Sequence, residues 1–96
     1  MEDAIEQTPR GLALRVCLNL RNGLHARPAA LLAQEAQRYA ASIQLISDTG
    51  EVDAKSMLDI LSLAPPPNAE LTLLADGRDA REALCGLARF MSTLQD

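Results

Sequence analysis

The chain holds one histidine, His25, in the run Asn22-Gly23-Leu24-His25-Ala26-Arg27-Pro28-Ala29-Ala30. A turn there feeds directly into a helix, and an imidazole at that junction is suited to accept a phosphoryl group. It is nucleophilic at neutral pH, while a helix start offers N–H groups without intrahelical acceptors and the positive end of the helix dipole. With His25 at the N-cap, the N–H groups of Ala26 and Arg27 are the ones left to hold phosphate. Pro28 fits the first turn because its missing N–H has no partner there. The guanidinium of Arg27 brings a fixed charge and planar donors for the same anion. A histidine at this place could simply cap the helix, yet His is not among the leading N-cap residues. Its company, a Gly-containing turn before, Arg two residues on and Pro in the first turn, favours chemistry over capping.

A complete catalytic cycle is not expected from these residues. The chain has no Gly-rich phosphate loop and no second histidine for an acid–base relay. Cys17 and Cys85 stand apart without CxxC spacing. Cys17 falls on the polar alternation of a strand and Cys85 off the apolar stripe of a helix, so neither a disulfide nor a redox pair is expected. One His and two isolated Cys supply no zinc set, and neither a metal nor a cofactor is expected.

The elements that must position His25 are legible from periodicity. Leu12, Leu14, Val16, Leu18 and Leu20 alternate with Ala13, Arg15, Cys17 and Asn19, the pattern of a half-buried strand over Leu12–Leu20. Asn22-Gly23 turns the chain. Ala29, Leu32, Ala33, Ala36 and Ala40 then recur at three and four, predicting a helix through about Tyr39. Ile43, Leu45 and Ile46 mark a strand over Ser42–Ser47, Asp48-Thr49-Gly50 a turn, and Glu51–Ala54 a returning strand. Ser56 followed by Asp59 reads as a capped helix start, with Met57, Ile60, Leu61 and Leu63 behind it. Pro65-Pro66-Pro67 stops that helix, and Asn68 can take a left-handed conformation on the way into a strand over Ala69–Ala75. Asp79 with Glu82 repeats the capping pattern ahead of the stripe Ala80, Ala83, Leu84, Leu87, Ala88, Met91 and Leu94. The predicted order is β-α-β-β-α-β-α, an α+β fold with a four-stranded, mainly antiparallel sheet and three helices on one face. Residues 1–10 carry no periodicity and read as a flexible extension, with the folded domain over 11–96.

Composition excludes several classes of function. At 96 residues the chain supports one small core. Nearly half the residues are apolar but only Tyr39 and Phe90 are aromatic, so the core is aliphatic. The net charge is −4, and the nine cations, eight Arg and Lys55, are scattered, which speaks against nucleic acid as a partner. No segment approaches the roughly 20 apolar residues that span a bilayer, and the N-terminus lacks a secretory pattern, so a cytoplasmic protein without membrane insertion is expected.

Gly23-Leu24-His25-Ala26-Arg27-Pro28-Ala29, the Ala54-Lys55-Ser56 ahead of the middle helix and the element order together resemble HPr, the histidine phosphocarrier of the bacterial phosphoenolpyruvate-dependent sugar phosphotransferase system. The likeness covers about Gly11 to Gln95 and implies the open-faced sandwich of that family. It further implies that Nδ1 of His25 takes a phosphoryl group from phosphorylated Enzyme I and passes it to a sugar-specific IIA component, with Arg27 as the matching arginine. The implied protein is a monomeric carrier rather than an autonomous enzyme; the alternative is a regulatory module of the same fold, from a nitrogen-type or incomplete phosphotransferase system, that signals by its phosphorylation state.

The resemblance leaves other residues with two readings each. Asn22 either orients the imidazole or serves the turn. Ser56 matches the position that some relatives offer to an HPr kinase/phosphorylase, but serine is also a common N-cap, and Asp59 in the same turn opposes a phosphate there. Met57, Leu58 and Leu61 form either an apolar docking patch beside His25 or part of the core. Several relatives place lysines around this patch, where this chain has Gln34, Gln37 and Asp59, so association should depend less on charge steering.

Overall fold

Leucines every second residue drive the central strands. The computed structural model describes residues 4–94. Residues 1–3 of the expected extension and 95–96 of the expected domain lie outside the described residues. The elements are β1 (Glu6–Thr8), β2 (Gly11–Cys17), α1 (Ala26–Ala36), β3 (Ser42–Ser47), β4 (Gly50–Asp53), α2 (Met57–Leu63), β5 (Glu70–Asp76) and α3 (Ala80–Thr93). They form one antiparallel sheet in the order β1-β2-β5-β3-β4. Leu14 pairs with Leu73, Leu73 with Leu45 and Leu45 with Val52, which lays an aliphatic row across four strands. The three helices cover this face: Ala29, Leu32, Ala33 and Ala36 of α1, Ile60 and Leu63 of α2, and Ala80, Ala83, Leu84 and Leu87 of α3 are buried against it.

The alternation predicts four strands, and the structure corrects this to five. Glu6–Thr8 pairs with β2 in the register Glu6↔Ala13, Gln7↔Leu12 and Thr8↔Gly11. The hairpin is closed locally: Thr8 Oγ1 accepts from the N–H of Arg10 at 3.1 Å and donates to the carbonyl of Gly11 at 2.8 Å. Gly11 is required at its end. Its φ is +137°, and a Cβ there would lie 2.5 Å from the carbonyl oxygen of Ala75. Glu6-Gln7-Thr8 has no apolar alternation, so periodicity alone does not reveal this strand. The hairpin turn carries Arg10 to Glu51 of β4, where two guanidinium nitrogens meet both carboxylate oxygens. Arg10 also lines the hollow around Leu74 on the helix-free face, which helps explain why that leucine is buried outside the main core.

Other boundaries shift for identifiable reasons. The helix predicted through Tyr39 ends at Ala36 with Gln37 as C-cap, and Ala40 is exposed rather than part of the stripe. The strand predicted to Leu20 ends at Cys17, although Leu18 and Leu20 remain buried in the loop that follows. Asp79 occupies the N-cap of α3 but makes no side-chain cap; its carboxylate instead accepts from the N–H groups of Ala40 at 2.9 Å and Ala41 at 2.8 Å. It therefore clamps the α1–β3 connection to the start of α3.

These backbone donors, that of Ala40 foremost, hold the Asp79 carboxyl below the usual aspartate range. A group whose pKa is lower in the folded than in the unfolded chain contributes stability at pH values above its unfolded pKa. That contribution is lost as pH falls through the folded value. Asp79→Asn is expected to lower the urea midpoint at pH 7, and its gap from wild type should close on acidification below about pH 4, the ordinary aspartate range. Urea titrations of both proteins from pH 7 to pH 2 check this; a gap that stays constant throughout would contradict it.

Candidate functional site

His25 ends an eight-residue segment, 18–25, between β2 and α1. Leu18, Leu20 and Leu24 are 2–3% exposed and pin this segment into the core. Gly23 turns with φ +72°, its N–H donating to the carbonyl of Leu20 at 3.2 Å and its own carbonyl accepting from His25 N–H at 3.2 Å. His25 is the N-cap of α1, as the spacing predicts. Its φ of −92° and ψ of −167° are extended, and its carbonyl accepts the first i→i−4 helical bond, from Ala29 N–H at 2.9 Å. The N–H groups of Ala26 and Arg27 precede that bond and have no acceptor one helical turn back within α1.

The imidazole does not act as a cap. No side-chain hydrogen bond joins it to the helix, which separates it from the simple capping reading. Among the described residues its Nε2 is buried without a hydrogen-bond partner. A partner or phosphate approaching from solvent therefore meets the rest of the ring, not Nε2. Arg27 is exposed, and among the described residues no hydrogen bond or ion pair occupies its guanidinium. The first turn of α1 holds no acidic residue, so the helix dipole and Arg27 act on an anion there without local opposition.

The start of α2 is built differently. Ser56 Oγ accepts from the N–H of Asp59 at 3.2 Å, the bond of a capping serine. Asp59 lies in the same first turn and its Oδ2 accepts from Asp53 N–H at 3.4 Å. Next to Ser56, Lys55 reaches across to the carbonyl of Tyr39 with its Nζ at 2.8 Å, and Gln37 Nε2 donates to the Lys55 carbonyl at 2.9 Å. Lys55 thus binds the end of α1 to the entrance of α2. Its role is invisible to local pattern because the acceptor lies 16 residues away.

Of the expected docking residues, Leu58 is 76% exposed and Met57 37%, whereas Leu61 packs on the core. Leu31, which periodicity does not single out, is 38% exposed and lies four residues after Arg27, on the same stripe of α1. The three-proline loop closes the other side of the His25 turn: the Pro65 carbonyl accepts from Leu24 N–H at 3.3 Å. Ala64, the C-cap of α2, is left-handed at φ +50° and ψ +54°, and Asn68 at φ +62° takes the conformation expected of it. An alanine in that region is strained by about 1–2 kcal/mol, and glycine returns part of the gain through its freer unfolded chain. Ala64→Gly should therefore raise stability by about 0.5–1 kcal/mol, measurable as a higher urea midpoint at unchanged slope.

Residues 13–93 match the family model described as the PTS HPr component phosphorylation site. The chain belongs to the HPr family. It is 44% identical over 77 residues to the HPr-like protein Crh of Bacillus subtilis, a match covering 80% of this chain and 91% of that protein. The phosphocarrier protein HPr of Buchnera aphidicola is 40% identical over 74 residues, 77% of this chain and 87% of its own. Among solved structures, HPr of Bacillus anthracis superposes with a TM-score of 0.77 at 46% identity, covering 81% of this chain and 93% of that one. The HPr match opens at residue 13, so β1 precedes it. The open-faced sandwich implied by the resemblance is the fold observed, with that added strand at its edge.

Proposed function

We propose that this HPr-family chain accepts a phosphoryl group on Nδ1 of His25 from phosphorylated Enzyme I, itself charged by phosphoenolpyruvate, and passes it to the IIA component of a sugar permease. The observation that carries this reading is the placement of His25 at an acid-free helix start with Nε2 buried, which leaves Nδ1 as the nucleophile. The lone pair of Nδ1 forms the P–N bond while the bond from phosphorus to the donor breaks, its electron pair leaving with the donor. On delivery the P–N bond breaks and its pair returns to Nδ1. Little covalent chemistry is asked of the protein, so orientation and charge supply the catalysis: the Ala26 and Arg27 N–H groups hold phosphate oxygens and the Arg27 guanidinium balances their charge. Leu58 and Met57, with Leu31, offer the partners an apolar contact, and Ser56 serves as the cap of α2.

In this reading the protein is a cytoplasmic, monomeric carrier that needs no cofactor of its own. Among the described residues no helix is long and apolar enough to cross a membrane. A second reading, regulation by phosphorylation state, is favoured by the likeness to Crh, whose solution structure is described as that of the Bacillus subtilis catabolite repression HPr.

Incubation with Enzyme I and phosphoenolpyruvate is expected to yield an acid-labile, alkali-stable phosphate on His25, seen by phosphorus NMR and peptide mapping. Failure to label would sink the carrier reading. Onward transfer to a IIA domain supports transport, whereas stable label without transfer supports the regulatory alternative.

A further inference from the structure

Among the described residues, the segment carrying His25 makes two backbone hydrogen bonds to the loop between α2 and β5, besides the helical bond from Ala29 N–H to its own last carbonyl. Leu18 N–H donates to the carbonyl of Ala69 at 2.8 Å and Leu24 N–H to that of Pro65 at 3.3 Å. Between these acceptors stand Pro66 and Pro67, with left-handed Ala64 and Asn68 on either side. The two pyrrolidine rings between the anchors lock φ, and Ala69 N–H donates to the Pro66 carbonyl at 3.2 Å across the same stretch, so the distance and direction between the two anchors change little. Pro65 is buried, and the loop lies so close to the turn that a Cβ on Gly23 would meet the Pro65 carbonyl oxygen at 2.7 Å. Two residues beyond Gly23 stands an imidazole whose Nε2 has no hydrogen bond to aim it. The ring must then take its direction largely from the backbone and from packing.

We propose that the Pro65–Pro67 loop is a positioning element for His25, a rigid brace that fixes the 18–25 segment through the Pro65 and Ala69 carbonyls and thereby aims the imidazole at the incoming phosphorus. This rests on the carrier reading for its kinetic consequence but not for its structural one. Phosphoryl transfer gains much of its rate from alignment, and a shift of about 1 Å can cost up to about a hundredfold. Partial loosening of the brace should cost about tenfold.

The test replaces Pro65, Pro66 and Pro67 together by alanine in the full chain and reads two quantities. The first is the set of His25 ring resonances in the unphosphorylated protein, which should shift or broaden as the ring samples more orientations. The second is the phosphorylation rate by Enzyme I at saturation, which should fall about tenfold with the KM for this chain changed less than about twofold. Unchanged resonances and an unchanged saturating rate in a folded variant would overturn the brace. A raised KM at an unaltered saturating rate would also overturn it, by making the loop a docking wall. Should the triple variant not fold, Pro66→Ala with Pro67→Ala keeps Pro65 and its carbonyl in place, and the same two readouts should move in the same direction by a smaller factor. If wild type itself takes no phosphate, the carrier reading fails while the ring resonances still decide the brace.

Discussion

His25→Ala is expected to abolish phosphate uptake from Enzyme I and phosphoenolpyruvate while leaving the fold in place. The loss should be complete because the chain has no other imidazole to form the P–N bond. Stability should change little for a reason visible in the structure. The ring caps nothing, and its Nε2 has no hydrogen bond to lose. The helical bond at this position comes from the His25 carbonyl, which alanine keeps. A change within about 1 kcal/mol is expected, as for substitutions that break no packing or buried network. Labelling with phosphoenolpyruvate, alongside thermal melts of both proteins, checks the two halves separately. Phosphate retained by the folded variant would place the acceptor elsewhere.

Arg27→Ala should slow transfer about a hundredfold, equivalent to about 2.7 kcal/mol of transition-state stabilisation. Arg27 is exposed, and among the described residues nothing pairs with its guanidinium, so its charge is available to an anion at this helix start. Arg27→Lys keeps the charge but loses the planar fork and should fall between the two. Rapid-quench kinetics give the rates, and circular dichroism with melting curves should show both variants folded as wild type. A variant that melts early instead would make this arginine structural.

The contrast between the two serviceable helix starts bears on regulation. At α1 no carboxylate stands in the first turn; at α2 Asp59 does, and its N–H already occupies Ser56 Oγ. A phosphate on Ser56 would displace that cap and face Asp59, whereas a phosphate on His25 displaces no cap. The same dipole is thus open to an anion at one helix and engaged at the other.

How much of this was legible depends on the range of the interaction. The Leu12–Val16 alternation, the Asn22-Gly23 turn, the His25 N-cap and the Ser56 cap are set by neighbours within a few residues, and all appear where local pattern places them. Asp79 reads as a cap by the same local rule, yet its carboxylate goes to Ala40 and Ala41, whose N–H groups lie 39 and 38 residues away. Leu61 carries the helical spacing of Leu58, and only the packing of α2 separates the half-buried residue from the exposed one. β1 escaped periodicity because three polar residues at an edge need no buried face, and their pairing is decided by the Thr8–Gly11 turn and by β2.

By itself the sequence determined the single histidine, its place at a helix start and the order of the elements around it, since residue type, short-range spacing and alternation suffice for those. Only the tertiary structure decided that Nε2 is the buried nitrogen, that Lys55 ties the end of α1 to the entrance of α2 and that the proline loop seats the His25 turn. Each of these joins groups distant along the chain, and burial and hydrogen bonding between such groups exist only once the sheet and helices have packed.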